Sequence, residues 1–164
     1  MFSQTNEYAL RVITFLGATP KGLARNADIA EVTKVPVGYL YKILQILERA
    51  GLVRGQRGKH GGYSLNRPPT EISVLDVVNA VDPLPRIRTC PLQLRSHGVR
   101  LCPLHRRLDD AFAYLEDVFR KSLISDLLVE SSESIPLCDS PGTEHPRKIS
   151  LAQQPKKRTS AAPA

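Results

Sequence analysis

The sequence predicts a mainly helical fold with one small β-hairpin, followed by a long additional helix. Apolar residues recur at helical spacing in four segments before residue 82, and again in one long segment after residue 103. A short apolar run follows the third of these segments and leads into a glycine-rich loop, which is typical of a hairpin. From residue 131 onward Ser, Pro, Lys and Ala dominate, so we expect no packed core there.

Composition limits the class of binding partner and the cellular compartment that we expect. The chain has 164 residues and a formal net charge of +7, with 23 Lys and Arg against 16 Asp and Glu. This balance favours a polyanionic partner, nucleic acid ahead of an anionic membrane surface. No run approaches the roughly 18 apolar residues of a membrane span and no secretory signal pattern is visible, so we expect a cytoplasmic protein without a membrane partner.

The first two helices follow from apolar spacing and turn residues. A helix is predicted over residues 6–18, with Thr5 as its N-cap. A second, short helix is predicted over residues 27–33, and residues 34–36 then form a tight turn.

The third helix begins near Val37 and has two contrasting faces. Its predicted buried face consists of Leu40, Ile43, Leu44 and Leu47. Its opposite stripe is basic and aromatic and consists of Tyr39, Lys42, Ile46 and Arg49. Gly51 stands where a left-handed residue ends a helix. A short helix, a tight turn and a longer helix with a basic outer face are in helix-turn-helix order.

A glycine-rich loop over residues 55–62 predicts a wing beside these helices. Its glycines, at 55, 58, 61 and 62, are expected to adopt positive φ and to lie close to a duplex. The cations of the wing are Arg54, Arg57, Lys59 and His60, which suit phosphates or a minor groove. A nucleotide-phosphate loop is disfavoured because no Gly-Lys-Ser/Thr ending occurs, and plain hairpin flexibility is the simpler alternative.

Two further helices complete the predicted fold. Ser73 is expected to cap the fourth helix, with Asp76 near its first amides, and the winged domain ends near Asp82. A long helix is predicted to reach about Leu128. Its narrow apolar seam consists of Leu104, Leu108, Ala111, Leu115 and Val118. This seam favours pairing with a second copy, and packing within one monomer is the alternative.

Five motifs carry a resemblance to a known family. They are YALR at 8–11, VPVGYLYKIL at 35–44, the wing run AGLVR at 50–54 with RG at 57–58 and GGYSL at 61–65, RPP at 67–69, and DVVNAVD at 76–82. Over residues 1–128 the chain resembles the bacterial winged-helix regulators of the Rrf2 family, which includes IscR, NsrR and CymR. The wing run through Asp82 is the most specific part, since a generic helix-turn-helix would not require it.

The resemblance implies a homodimeric repressor that binds double-stranded DNA. Recognition helices would enter successive major grooves, wings would flank them, and the long helices would cross at the dimer interface. We predict DNA contacts from Tyr39, Lys42, Arg54, Arg57, Lys59 and His60, with solvated surface charge as the alternative for each. No catalytic motif and no small-molecule substrate are evident, so an enzyme is not expected. A protein-binding winged-helix adaptor is the credible rival.

A loop between the winged domain and the long helix is a candidate sensor. Its Cys90, His97, Cys102 and His105 are spaced seven, five and three residues apart, which permits a shared metal. Cluster-bearing relatives usually have three cysteines here, whereas this chain has Ser96 and His97 in place of the middle one.

The resemblance implies a [2Fe-2S] cluster held by Cys90, Cys102, His97 or His105, and Glu7 of the partner subunit, with Cys138 a poorer replacement thiol. Such a cluster would sense iron-sulfur, redox or nitric oxide status. Zinc, a thiol switch using Cys90 and Cys102, control by a partner protein, or no sensor at all remain alternatives.

The predicted organisation has four parts. Residues 1–82 form the winged helix-turn-helix DNA-binding domain, 83–103 the candidate metal or redox loop, 104–130 the dimerisation helix, and 131–164 a disordered basic tail.

Overall fold

The computed structural model describes residues 2–19, 23–58, 61–92, 100–129 and 136–137. In chain order the elements are α1 (Gln4–Gly17), α2 (Asn26–Thr33), α3 (Val37–Arg49), β1 (Val53–Gln56), β2 (Gly62–Leu65), a 3-10 turn (Pro69–Glu71), α4 (Val74–Val81), α5 (Pro103–Lys121) and α6 (Ile124–Val129). Helices with one antiparallel hairpin confirm the predicted fold class. Among the described residues, no helix is long and apolar enough to cross a bilayer. The predicted tail lies outside the described residues, except for positions 136–137.

The first helix begins at Gln4, earlier than predicted, and the predicted Thr5 cap is wrong. Ser3 has an extended backbone, and its hydroxyl accepts a hydrogen bond from the Asn6 amide at 3.2 Å. An N-cap residue has non-helical backbone angles, whereas Thr5 already lies within the helix. The buried Asn6 side chain then donates to the carbonyl of Asp82 at 2.8 Å, which ties α1 to the end of α4.

One buried cluster joins α1, α2, α3, α4 and the hairpin. The predicted apolar face of α3 is fully buried in it and consists of Leu40, Ile43, Leu44 and Leu47. At the start of α4, Ser73 Oγ accepts from the Asp76 amide at 3.1 Å, and the Asp76 carboxylate accepts from the Ser73 amide at 2.9 Å. This reciprocal capping box confirms Ser73 as the cap of α4.

The long helix predicted to reach about Leu128 is two helices. α5 ends at Lys121, and Ser122 has an extended backbone. The Ser122 carbonyl accepts from the Val74 amide at 2.9 Å, and the Ile124 amide donates to the Ile72 carbonyl at 2.9 Å. These bonds pair residues 122–124 with residues 72–74 of the winged domain, and the helix is interrupted at that point. There Ile124 is fully buried and α6 packs against α1.

Arg86 fastens the segment after α4 to the inner face of α5. Its guanidinium makes two hydrogen bonds to Asp109, at 2.7 and 2.8 Å, and one to Glu116 at 2.8 Å. The Ile87 amide also donates to Asp109 at 2.9 Å. The Arg86 hydrogen bonds, followed by that of Ile87, lower the pKa of Asp109 to about 2. Bidentate pairing of this kind fixes orientation as well as distance, so α5 is held in a defined direction.

The opposite face of α5 carries the predicted apolar seam, which is largely exposed in the single chain. Leu104 is 64% exposed, Leu108 44% and Val118 38%. No residue of α5 is fully buried. The helix therefore faces its own domain with Asp109, Glu116 and the partly buried Phe119, and it leaves an apolar seam on its outer side.

Candidate functional site

The turn between α2 and α3 is tight, as predicted. Lys34, which follows α2, has a left-handed backbone with φ of 55°. Such a residue with a Cβ is unfavourable, so neighbouring contacts must hold it. Val35 is buried in the hydrophobic core and anchors the turn there. The short α2 thus leads directly into the longer, outward-facing α3.

The outer face of α3 presents aromatic and cationic side chains to solvent. Tyr39 and Tyr41 are each half exposed, and Lys42 and Arg49 are exposed. Among the described residues, no side chain hydrogen-bonds to the first amides of α3, which follows Pro36. Amides at an uncapped helix start favour anions, so this end of α3 has the polarity that a phosphate backbone requires.

The wing is a short antiparallel hairpin in which Val53 pairs with Leu65, Arg54 with Ser64 and Gly55 with Tyr63. Arg54 Nε donates to Ser64 Oγ at 3.1 Å, and Arg54 lines a groove of about 850 Å³ between the wing and the end of α1. Arg57 is exposed at the end of β1. Lys59 and His60, the other predicted wing contacts, lie outside the described residues.

The glycines of the wing differ from the prediction in their role. Of Gly55, Gly58, Gly61 and Gly62, only Gly58 has a positive φ, at 117°. Gly55 and Gly62 lie within the strands, and a Cβ on Gly62 would stand 2.5 Å from the carbonyl oxygen of Ala24. Ala24 and Tyr63 exchange two backbone hydrogen bonds of 2.9 Å, so Gly62 permits a close approach between backbones rather than a special turn.

Glu48 joins the end of α3 to the wing. Its carboxylate accepts a hydrogen bond from the Gly55 amide at 3.1 Å. Burial raises the pKa of the neighbouring Tyr63, and the charge of Glu48 raises it further, while Arg57 opposes the shift. The charges of Glu48 and Arg57 thus both act on the Tyr63 hydroxyl. The hydrogen bond from Gly55 links the wing directly to the last turn of α3.

The N-terminal helix contacts the same surface. Glu7 pairs with Arg11 within one turn of α1, and Arg11 also donates to the Thr33 carbonyl at the end of α2 at 3.1 Å. The Tyr8 ring packs edge-on against Tyr39, with ring centres 6.0 Å apart. Residues of α1 therefore support both the turn and the exposed aromatic side chain of α3.

The candidate metal ligands are brought together only in part. Cys102 is the N-cap of α5, and its Sγ lies 3.3 Å from His105 Nδ1 in the first turn. Cys90 is buried, and Glu7 is engaged by Arg11. His97 and Cys138 lie outside the described residues. Within the described ranges, no three His, Cys, Asp or Glu side chains converge, so these residues of one chain do not complete a site for a metal or a cluster.

Comparison with known proteins identifies the family. The family model Rrf2, described as an iron-dependent transcriptional regulator, matches residues 2–130. The chain belongs to the Rrf2 family. A Rhizobium meliloti protein named aau3 is 35% identical to it over 127 residues, covering 76% of this chain and 82% of that protein. An Aquifex aeolicus protein with the provisional name of an HTH-type transcriptional regulator is 26% identical over 141 residues, covering 84% and 98%.

Solved structures agree with this assignment at the level of the fold. CymR, the global cysteine regulator of B. subtilis, superposes with a TM-score of 0.67 at 22% identity and covers 80% of this chain and 98% of its own. IscR of T. potens superposes with a TM-score of 0.67 at 22% identity and covers 81% and 89%. The Rrf2 chain is thus a winged-helix transcriptional regulator, in a family whose members are regulators rather than enzymes.

Sequence reasoning missed three residues of this Rrf2 surface. Tyr41 falls between the buried and the basic stripes of α3, and its exposure follows from its position off the apolar face. Glu48 gives one usable signal, because a carboxylate in the last turn of a helix opposes the helix dipole unless it has a donor partner. Arg11 occurs in the YALR motif, but its contact with Thr33 spans 22 positions and has no local signature.

Proposed function

We propose that this Rrf2 protein binds specific DNA sequences by inserting α3 into the major groove while the wing lies beside it. The observation that carries the proposal is a set of exposed aromatic and cationic side chains on two elements that a hydrogen bond joins. Tyr39 and Lys42 extend from α3, Arg54 and Arg57 from the wing, and Glu48 couples the two elements. Cations in this arrangement suit phosphates, and aromatic and long polar side chains suit base edges. Such a regulator would work in the bacterial cytoplasm, where its DNA is.

Charge removal at this surface tests the proposal. Duplexes selected from genomic fragments by the wild-type protein are titrated with Lys42→Ala and Arg57→Ala by fluorescence anisotropy. The matched control is Arg106→Ala, which removes an exposed arginine from α5. Each interface variant should bind about tenfold more weakly, because a lost phosphate or base contact costs on the order of 1–3 kcal/mol. Equal affinities for all four proteins, or no duplex binding at all, would favour the protein-binding adaptor instead.

We propose further that the active form is a homodimer in which the α5 seams of two copies pack together, and that it represses by occupying promoter DNA. The exposed, regularly spaced leucines of α5 support this, because nothing in the described part of the same chain covers them. On the inner face, by contrast, Arg86 already pairs with Asp109. A two-fold protein also suits paired half-sites. Leu108→Asp should give monomers in analytical ultracentrifugation, whereas Val129→Asp, at an exposed apolar residue of α6, should not. A promoter reporter should lose repression only with Leu108→Asp.

The Cys102–His105 pair supports a second proposal, that the segment before α5 is a sensor. A thiol 3.3 Å from an imidazole nitrogen provides two donors that zinc or an iron-sulfur cluster accepts, with Cys90, His97 and Glu7 of the partner subunit as the further proposed ligands. The alternative is a thiol switch between Cys90 and Cys102. Anaerobic purification with iron, sulfide and zinc analysis separates these cases. Cys102→Ala should lower metal content, and unchanged content would contradict this ligand assignment.

A further inference from the structure

Arg11 connects α1 to the helix-turn-helix turn through several simultaneous contacts. Its Nε donates to the Glu7 carboxylate at 2.5 Å, and a terminal nitrogen donates to the Thr33 carbonyl at 3.1 Å. The guanidinium carbon also lies 5.6 Å from the centre of the Tyr8 ring. A planar guanidinium can donate in two directions while stacking on a ring, which a lysine ammonium does less well. The role of Arg11 therefore depends on the shape of the guanidinium as well as on its charge.

The Thr33 carbonyl is a sensitive point of the turn. The next residue, Lys34, has the left-handed backbone that disfavours residues with a Cβ. Thr33 is itself buried, and its hydroxyl donates to the Ile29 carbonyl within α2 at 2.6 Å. A donor from α1 to this carbonyl thus fixes the angle at which the chain leaves α2 and enters α3.

Tyr8 connects α1 to the exposed face of α3. Its ring meets Tyr39 at an interplanar angle of 73°, and its hydroxyl accepts from Gln4 Nε2 at 2.8 Å. Tyr39 remains half exposed, so one part of its ring is held by Tyr8 and the rest faces outward. Edge-to-face pairs have a preferred geometry, so Tyr8 restricts the orientations that Tyr39 can adopt.

We propose that Arg11 and Tyr8 are positioning residues for DNA recognition, which hold the turn and Tyr39 in the binding orientation without contacting DNA. The inference rests on the proposed DNA-binding function of α3. Pre-organised side chains lose less conformational freedom on binding, which increases affinity. This increase applies only to contacts that depend on exact geometry. Specific binding should therefore depend on the two residues, whereas nonspecific phosphate attraction should not.

The test compares a selected operator duplex with a scrambled duplex of equal length, by fluorescence anisotropy at several salt concentrations. Arg11→Lys and Arg11→Gln should each weaken operator binding about tenfold while leaving scrambled-duplex affinity and the salt slope unchanged. Tyr8→Leu should weaken operator binding about fivefold, and Tyr8→Phe should retain it. In a Tyr39→Ala background, Tyr8→Leu should have no further effect. Arg106→Gln, which removes an exposed arginine of α5, is the control for the loss of one positive charge.

Several results would overturn the inference. Wild-type operator affinity in Arg11→Lys would mean that charge alone matters. A salt slope reduced by about one in Arg11→Gln would mean that Arg11 touches a phosphate itself. Additive effects of Tyr8→Leu and Tyr39→Ala would exclude coupling between the rings. This comparison tests the inference even in the case that the Arg11→Gln variant does not fold. Absence of duplex binding by the wild-type protein would contradict the proposed function and the inference with it, whereas unaltered variants would contradict the inference alone.

Discussion

Replacing Ile124 by alanine should destabilise the winged domain, although this residue lies far from it in the sequence. Ile124 is fully buried, and its Cγ2 would stand 3.4 Å from a Cβ on Gly17. Because the facing position on α1 is a glycine, it offers no side chain to fill the cavity. Buried Ile→Ala changes cost roughly 2–5 kcal/mol, and we expect about 3 kcal/mol here because the glycine opposite cannot fill the space. For a domain of this size that corresponds to a fall in melting temperature of roughly 10 °C.

Urea unfolding followed by circular dichroism, at a fixed protomer concentration, measures this effect. Val129→Ala in the same helix is the matched control, because Val129 is 80% exposed and should change stability by less than about 0.5 kcal/mol. If both variants unfold at the wild-type urea concentration, α6 is not part of the core and our account of the break between α5 and α6 is wrong.

Three further perturbations test other parts of the structure. Arg86 and the Ile87 amide hold the pKa of Asp109 at about 2, below its usual 3.8, so this stabilisation is complete above about pH 4 and is lost as the pH falls towards 2. Asp109→Asn should therefore flatten acid destabilisation in urea titrations, whereas Asp110→Asn at the exposed neighbour should not. Ser73→Ala should lower the unfolding free energy by about 1 kcal/mol through loss of the α4 cap, and an unchanged midpoint would refute that role. Gly51→Ala should destabilise by about 1–2 kcal/mol because φ is 70°, whereas Gly38→Ala, with open space around it, should not; equal melting temperatures would count against the left-handed requirement.

The helices and the wing were predictable from local patterns. The buried face of α3, the cap at Ser73 and the left-handed position of Gly51 all follow from residues within one or two helical turns. The error in the long helix has a different origin. Residues 104–128 keep a helical rhythm throughout, and only the pairing of Ser122 and Ile124 with Val74 and Ile72 interrupts it. Such pairing across distant segments leaves no periodic signal.

The exposed cations of the proposed DNA-binding surface could be predicted from the sequence, but the residues that support this surface could not. Lys42 and Arg57 were identified from charge at exposed positions. Glu48, Arg11 and Tyr8 act through contacts with other elements, and their partners could be found only in three dimensions. The spacing of the Cys and His residues suggested one shared site, but in the structure only Cys102 and His105 form a close pair. Spacing within a loop constrains which ligands can meet and does not determine that they do.

Hydrogen–deuterium exchange of the wild-type protein, with and without a selected operator duplex, tests most directly whether α3 and the wing bind DNA. Our account predicts slower amide exchange on DNA addition over residues 37–49 and 54–65, with no change over residues 124–129. Slowing confined to α5, or exchange unchanged everywhere while the duplex is bound, would contradict it.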